Sequence, residues 1–263
     1  MRRLPFWPAL GGLLFILYII LPVASIFINL NWPELDHTLQ NPVVLQALKL
    51  SALTTIVATV LTVILGTPLA YFLARRQFPG REVIDTLLDL PLVLPPAVAG
   101  IALLMAFGRR GLLGSLLARW GLTLPFTTMA VIMAQVFVSA PLYLKAARSG
   151  FAAVSPSLEE ISLTLGKTPL QTFYRVTLPL ALPTLLSGAL MTWARALGEF
   201  GATIMFAGNM PGITQTLPLA IYMALDSNLE VSLVIAALMV LISFVVLLAV
   251  KKAAAGGEDN TYA

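Results

Sequence analysis

Six apolar stretches dictate what this chain can become. They run over Ala9–Leu30, Leu48–Ala74, Leu87–Phe107, Pro125–Leu144, Leu178–Phe206 and Val231–Val250. Each approaches or exceeds the ~20 residues that a helix needs to cross the hydrocarbon of a bilayer. No water pairs with backbone N–H and C=O groups there, so a segment that spans alone must satisfy them internally, as a helix. Strand-like alternation is absent from the sequence. With 59% hydrophobic and only 11% charged residues among 263, the chain carries more apolar surface than a water-soluble domain of its size can hide. The sequence predicts an all-α integral membrane protein of about six transmembrane helices.

Residue counts remove several chemistries. There is no cysteine, which excludes disulfides, thiolate metal sites and cysteine nucleophiles. The single histidine, His37, stands beside Asp36 and reads as a solvated loop residue; alone it makes neither a metal site nor a proton relay. No catalytic residue and no metal site is expected, since hydrolytic chemistry would rest on Glu199 or Asp89 unaided. The net charge is +4, but no basic run is interleaved with aromatics. The basic residues read as loop markers of a membrane protein, so the expected medium is lipid and no nucleic-acid partner is expected.

Orientation follows from where those basic residues fall. With the N-terminus inside, Arg2, Arg3, Arg75, Arg76, Arg81, Lys145, Arg148, Lys167, Arg175, Lys251 and Lys252 are cytoplasmic, eleven of the sixteen. Lys49, Arg109, Arg110 and Arg119 fall outside, and Arg195 lies within the fifth span. Both termini are then cytoplasmic, in a multi-pass membrane protein. Met1-Arg2-Arg3 and the apolar run to Leu30 imitate a signal peptide. The run is too long for an h-region and no small-x-small cleavage site follows, so it reads as an uncleaved anchor. The chain divides into a first helix with its external loop (1–47), a transmembrane domain (48–250) and a loose cytoplasmic tail (251–263). Among the external loops, Gly108–Leu124 has an apolar pattern suited to a short interfacial helix, while Asn31–Ala47 and Pro211–Leu229 read as polar connections.

Three prolines, at 91, 95 and 96, open the third span and remove backbone donors. Broken helix within a membrane is tolerated against protein or a water-filled path. Pro95 and Pro96 therefore mark either a kinked approach at the cytoplasmic surface or an element lining a translocation path. In the fifth span Arg195 and Glu199 are i,i+4 neighbours that can pair along one helix face. Charges at such depth face protein or water, and Ala194, Gly198, Gly201 and Ala202 allow close helix approach. The pair reads either as a structural stitch or, with Thr203, as part of the path.

Between the fourth and fifth spans lies a polar stretch with helix-end signals. Ser155 is placed to cap and Pro156 fits the first helical position; Ser157 and Glu160 have capping-box spacing, and Glu159 and Glu160 suit the positive end of a helix. Gly166 suits a left-handed cap. Thr168, Pro169 and Gln171 start a second short helix, which Leu178-Pro179 joins to the fifth span. Two short helices with a glycine elbow are expected. Gly166-Lys167-Thr168 imitates the end of a P-loop, but position 161, where its first glycine belongs, is Ile161, and no strand precedes it.

The spacing from Glu160 through Gly166 and Val176 to Leu178-Pro179 resembles the "EAA" loop of ABC importer permeases. Ile161 and Ser162 stand where that loop has two alanines, and Val176 where it has isoleucine; neither change obstructs a helix–elbow–helix. Ala194-Arg195-Ala196-Leu197-Gly198-Glu199-Phe200-Gly201-Ala202-Thr203, Gly208-Asn209-Met210-Pro211-Gly212, Thr214-Gln215-Thr216-Leu217-Pro218, Gly66-Thr67-Pro68-Leu69-Ala70-Tyr71, Phe78-Pro79-Gly80 and Asp89-Leu90-Pro91 are similar to the molybdate permease family, whose close relatives carry sulfate and tungstate. The similarity runs from about Leu48 to Val250.

The resemblance implies a type I ABC importer permease fold with a cytoplasmic coupling-helix loop, in the plasma (inner) membrane of a prokaryote. It implies a pore built from two copies of this chain, a homodimer. Two ABC ATPase subunits would dock on a loop surface drawn from Glu159, Glu160, Ser162, Gly166, Lys167, Thr168, Pro169, Leu178 and Pro179. A separate extracytoplasmic binding protein would deliver the oxyanion. This chain would bind no cofactor, ATP-Mg residing on the partner ATPase. Arg109, Arg110 and Arg119 would lie near the outer mouth, where they would steer a divalent anion, dock the binding protein or anchor to headgroups. The competing reading, an ion-coupled secondary transporter, needs intramembrane carboxylates; Glu199 is the only deep one, Arg195 is placed to neutralise it, and inverted repeats are not apparent.

Overall fold

The computed structural model describes residues 6–258. Arg2 and Arg3, and the side chains of Glu34, Asp36, Lys251 and Lys252, on which part of the charge reading rests, lie outside the described residues. The described chain is helical: α1 Phe6–Ile28, α2 Trp32–Leu39, α3 Pro42–Arg75, α4 Arg81–Val93, α5 Pro96–Phe107, α6 Gly114–Arg119, α7 Thr128–Ala153, α8 Pro156–Thr164, α9 Pro169–Thr172, α10 Leu178–Leu197, α11 Gly201–Ala207, α12 Leu217–Ser227 and α13 Leu229–Glu258. Five segments are long and apolar enough to cross a membrane: Leu10–Ile28, Pro42–Arg75, Thr128–Ala153, Pro169–Leu197 and Leu229–Leu248. The bent pair α4–α5 supplies a sixth if counted as one span.

Several boundaries depart from expectation. The second span starts at Pro42 rather than Leu48, because Asn41 caps it by accepting from Val43 N at 2.9 Å. The loop before it is not wholly irregular: it holds α2, and His37 lies in the last turn of that helix rather than in a loop. The fourth span runs over Thr128–Ala153, begun by Thr127, whose hydroxyl accepts from Ala130 N at 3.2 Å. The stretch Pro211–Leu229 contains α12, whose Leu217 N donates to Ser51 Oγ on α3 at 2.7 Å. The last helix extends to Glu258, past the expected Val250 and into the stretch from Ala253 expected to be loose. The short helix expected within Gly108–Leu124 is α6.

The third and fifth spans are interrupted. The chain bends by 117° between α4 and α5. Leu94 and Pro95 there are extended, with ψ 134° at both, because proline disfavours helix in the residue before it and carries no N–H. Pro91 does not break the chain and sits inside α4. The fifth span ends at Leu197, not Phe206; Gly198–Phe200 separates it from α11.

At the centre is α7, packed against α3 and α10 along its length and against α5 and α11 toward its start. Ala130, Ala134, Val138, Leu103, Ala202 and Phe206 form one buried cluster, and Ala70, Tyr143, Ala147, Phe151, Ala181 and Leu185 another. Small residues bring the helices together. A Cβ on Gly188 would lie 2.6 Å from Ala146 Cβ, and one on Gly150 would lie 3.0 Å from Thr184 Cβ. By contrast α1 leaves Leu13 through Leu21 exposed, as expected of a lipid-facing helix.

Gly188→Val forces α10 away from α7, since Ala146 Cβ is fixed to its backbone. Overpacking of this kind costs about 1–3 kcal/mol, and the thermal unfolding midpoint in detergent is expected to fall by several degrees. Gly198→Ala, whose nearest neighbour atom is 3.9 Å from the added carbon, is expected to leave that midpoint unchanged.

Candidate functional site: a braced loop and a broken span

The loop after α7 is assembled by side chains that reach across it. One carboxylate oxygen of Glu159, Oε1, accepts from Arg75 Nη2 at 2.7 Å, Arg75 Nε at 3.2 Å and Thr177 Oγ1 at 2.7 Å. Arg75 Nη2 also donates to the Val154 carbonyl at 3.0 Å. Arg75 ends α3, Val154 ends α7 and Thr177 precedes α10, so Glu159 joins the roots of three helices to α8. Charge-assisted bonds of this kind are about twice as strong as neutral ones, and both partners are largely shielded from water. The Arg75 guanidinium lies over Tyr71, whose ring packs edge-on against Phe151 and Phe173 at 5.4 and 4.9 Å.

The elbow forms as expected. Gly166 has φ +80°. Lys167 N donates to Ser162 O at 3.2 Å and Gly166 N to Leu163 O at 2.9 Å, the paired bonds that close a helix on a left-handed residue. Thr168 accepts from Gln171 N at 3.3 Å while Gln171 Oε1 accepts from Thr168 N at 3.1 Å, a complete capping box in front of Pro169. Buried Ser162 and Thr172 share a hydrogen bond at 2.9 Å that ties α8 to α9.

Two expectations are corrected, and the structure distinguishes the two glutamates. Ser155 occupies the capping position of α8 but makes no side-chain cap bond, and Ser157 and Glu160 form no capping box. The two glutamates are not equivalent: Glu159 turns inward to Arg75, while Glu160 is exposed. The second loop helix is not a separate piece. From α9 it passes through the π-helical stretch Phe173–Thr177 directly into α10, where Leu178 and Pro179 lie within the first turn. The outer face of the loop is apolar: Leu158, Ile161, Leu165 and Leu170 are exposed, as is Tyr174. Lys167 is exposed beside them and makes no ion pair among the described residues.

The second set of candidates converges at the break in the fifth span. Arg195, in the last turn of α10, lies with Nη1 2.8 Å from Glu199 Oε2, and Glu199 is 1% exposed. Glu199 Oε1 accepts from Ala202 N at 2.8 Å, fixing the start of α11. The pair therefore bridges a helix end rather than lying along one continuous helix. Pro96, at the first position of α5, faces Gly201, where a Cβ would approach Pro96 Cβ to 2.4 Å. Pro95, Pro96, Arg195 and Glu199 are thus brought to one place, with Thr203 buried one turn further on. Buried oxygens of Gln135, Thr203, Gln215 and Thr216, and both polar side-chain atoms of Asn209, have no hydrogen-bond partner among the described residues. Buried polar atoms are normally paired with protein or water, so this concentration within and beside residues 199–216 marks a region suited to water or a polar solute.

At the end of the molecule away from Arg75, Arg109 and Arg110 line a cavity of about 630 Å³ with Thr123, Thr127 and Phe126. Arg119 is exposed at the end of α6 and does not line it. None of the three pairs with a carboxylate among the described residues.

Sequence reasoning missed Arg75, Thr172 and Thr177 as loop residues. It also missed the ion pairs that Asp85 and Asp89 of α4 make with Arg148 and Lys145 of α7. The one available signal was spacing: two acids four apart and two bases three apart, each on one helix face.

Residues 66–254 match the family described as binding-protein-dependent transport system inner membrane component. The chain is 41% identical over 259 residues to the molybdenum transport system permease protein ModB of Mycobacterium bovis, covering 98% of this chain and 97% of that one. It is 36% identical over 231 residues to the sulfate transport system permease protein CysT of Salmonella typhimurium, covering 86% and 83%. Among solved structures, a bacterial alginate ABC transporter in complex with its pentasaccharide-bound periplasmic protein has a chain that superposes with a TM-score of 0.72 at 15% identity, covering 93% and 92%; this shows the fold, that of a type I ABC importer permease. The chain belongs to the family of inner-membrane components of binding-protein-dependent transport systems.

Proposed function

We propose that this chain is the membrane-spanning subunit of an ATP-driven importer of molybdate. The observation that carries the substrate is its near-full-length likeness to a molybdenum permease. The likeness to a sulfate permease supports a second reading, with sulfate as cargo. Two copies of the chain form the pore, two ABC ATPase chains carrying ATP-Mg dock on the 154–179 loops, and an extracytoplasmic binding protein delivers the oxyanion. Support for ATPase docking comes from the loop: an apolar outer face at Leu158, Ile161, Leu165 and Leu170 on a frame braced by Glu159 and Arg75. A braced frame passes on a push instead of absorbing it. The basic residues at the Arg75 end support a cytoplasmic loop and cytoplasmic termini.

In this reading the break beside Arg195 and Glu199 borders the translocation path. The pair's role is to hold the break, since Glu199 binds both Arg195 and the start of α11. A near-neutral pair avoids a deep anion trap, which would slow release. Arg109 and Arg110, which make no ion pair among the described residues, stand at the outer mouth, where they raise the local concentration of a divalent anion.

Three measurements test this. Labelled molybdate uptake by cells lacking the gene is expected to return when the gene is restored and to resist excess sulfate, with tungstate competing; uptake erased by sulfate moves the cargo to sulfate. Gly166→Val imposes a left-handed conformation that costs a non-glycine residue about 1–2 kcal/mol, although the added carbon itself meets nothing within 4 Å. It is expected to leave the spans folded while ATP hydrolysis in proteoliposomes no longer drives uptake. Replacing Arg109, Arg110 and Arg119 together with glutamine is expected to slow uptake by about tenfold at low salt and by less at high salt, with membrane insertion unchanged.

A further inference from the structure

Charge is prominent where α4 meets the rest of the molecule, beside the half-buried Leu88, Pro91 and Leu92. None of its residues is buried, and the helix it packs against among the described residues is α7. Two ion pairs join them: Asp85 with Arg148, and Asp89 with Lys145 at 3.1 Å. Arg81, one turn before Asp85, lies 3.8 Å from the same carboxylate. The earlier acid meets the later base, so α4 runs antiparallel to α7 here. One such pair would leave a pivot; two, a turn apart on each helix, fix both axial position and direction. Single exposed pairs are worth little. These acids are only 23% and 32% exposed, and they act together.

The two ends of α4 are joints. It begins after Gly80, at φ +85°, and stops at the 117° break before Pro96. Beyond the break, Pro96 presses on Gly201, two residues past Glu199. On the other side, Arg148 stands six residues before Val154, whose carbonyl Arg75 holds at the root of the 154–179 loop. Beside the direct packing of α7 on α5 and α11, a second line of contacts therefore runs from the loop through α7 and the two ion pairs to the broken part of the fifth span.

We propose that α4 is a strut that carries movement of the loop to that break, and that Asp85, Asp89, Lys145 and Arg148 are positioning residues of the transport cycle. The inference rests on the reading of the chain as a permease driven from that loop. α4 stays fixed to α7 through the cycle, and the Leu94–Pro95 joint takes up changes of angle between α4 and α5.

The test uses the complete importer, with ATPases and binding protein, in proteoliposomes, and reads ATP hydrolysed per molybdate imported. Asp85→Asn with Asp89→Asn is expected to lower uptake about tenfold, within the usual range of coupling between sites, while hydrolysis continues, so the ratio rises by a similar factor. Exchanging the charges (D85R, D89K, K145D and R148D together) is expected to restore the ratio, which a general loss of stability would not allow. Because the chain has no cysteine, D85C with R148C can also be joined by a short bifunctional methanethiosulfonate. The joined protein is expected to import faster than the unjoined one, and this arm decides the matter if the neutral variant fails to assemble. Joining that abolishes import, or an assembled neutral variant with wild-type uptake and an unchanged ratio, overturns the strut alone. Absence of ATP-driven import by the wild type overturns the permease reading beneath it.

Discussion

Main-chain hydrogen bonding in a medium without water governs where this chain is regular and where it is not. Long helices satisfy their own N–H and C=O groups and face lipid, as α1 does. The interruptions are only partly covered by other helices, since Pro95, Pro96 and Gly198 are exposed while Glu199 is buried. The break at Leu94–Pro95 leads into α5, packed on α11, and the break at Gly198–Phe200 is closed by Glu199, which reaches back to Arg195 and forward to Ala202 N. A carboxylate buried in this way is costly unless it is paired and bonded. Here it has an ion-pair partner and a backbone donor, so the cost of one interruption is offset by repairing it.

Rigidity is unevenly distributed. The 154–179 loop is fastened at several points, through Arg75–Glu159–Thr177, through Ser162–Thr172 and through a complete capping box at Thr168. α4 is fastened at two, with a joint at each end. An apolar outer face on a stiff frame suits reversible contact with another protein. A light helix between joints suits transmission of movement. The same chain thus holds parts that resist deformation beside parts that redirect it.

Much of this was legible in the sequence. Apolar length gave the spans because the bilayer sets the length. Gly166 announced a left-handed elbow, and Thr168 with Gln171 announced a cap, because those signals are local. Asn41 could have moved the second span's start to Pro42 had its capping role been weighed. What stayed hidden was non-local. Nothing near Arg75 in sequence indicates Glu159, 84 positions away. Nothing in the Arg195–Glu199 spacing distinguishes a pair along one helix from a pair across a helix end. The bond from Leu217 N of α12 to Ser51 required knowing where α3 passes.

The widened turn at Phe173–Thr177 has a geometric consequence for the loop. Thr172 must face α8 to meet Ser162, and Thr177 must face it to meet Glu159. In an ordinary α-helix, at ~100° per residue, two positions five apart point about 140° away from each other. In a π-helix, bonded i to i+5, they return to nearly the same side. The extra residue thus lets a single stretch of backbone grip α8 at both ends; a regular helix of the same sequence would keep one hydroxyl in place and turn the other toward solvent.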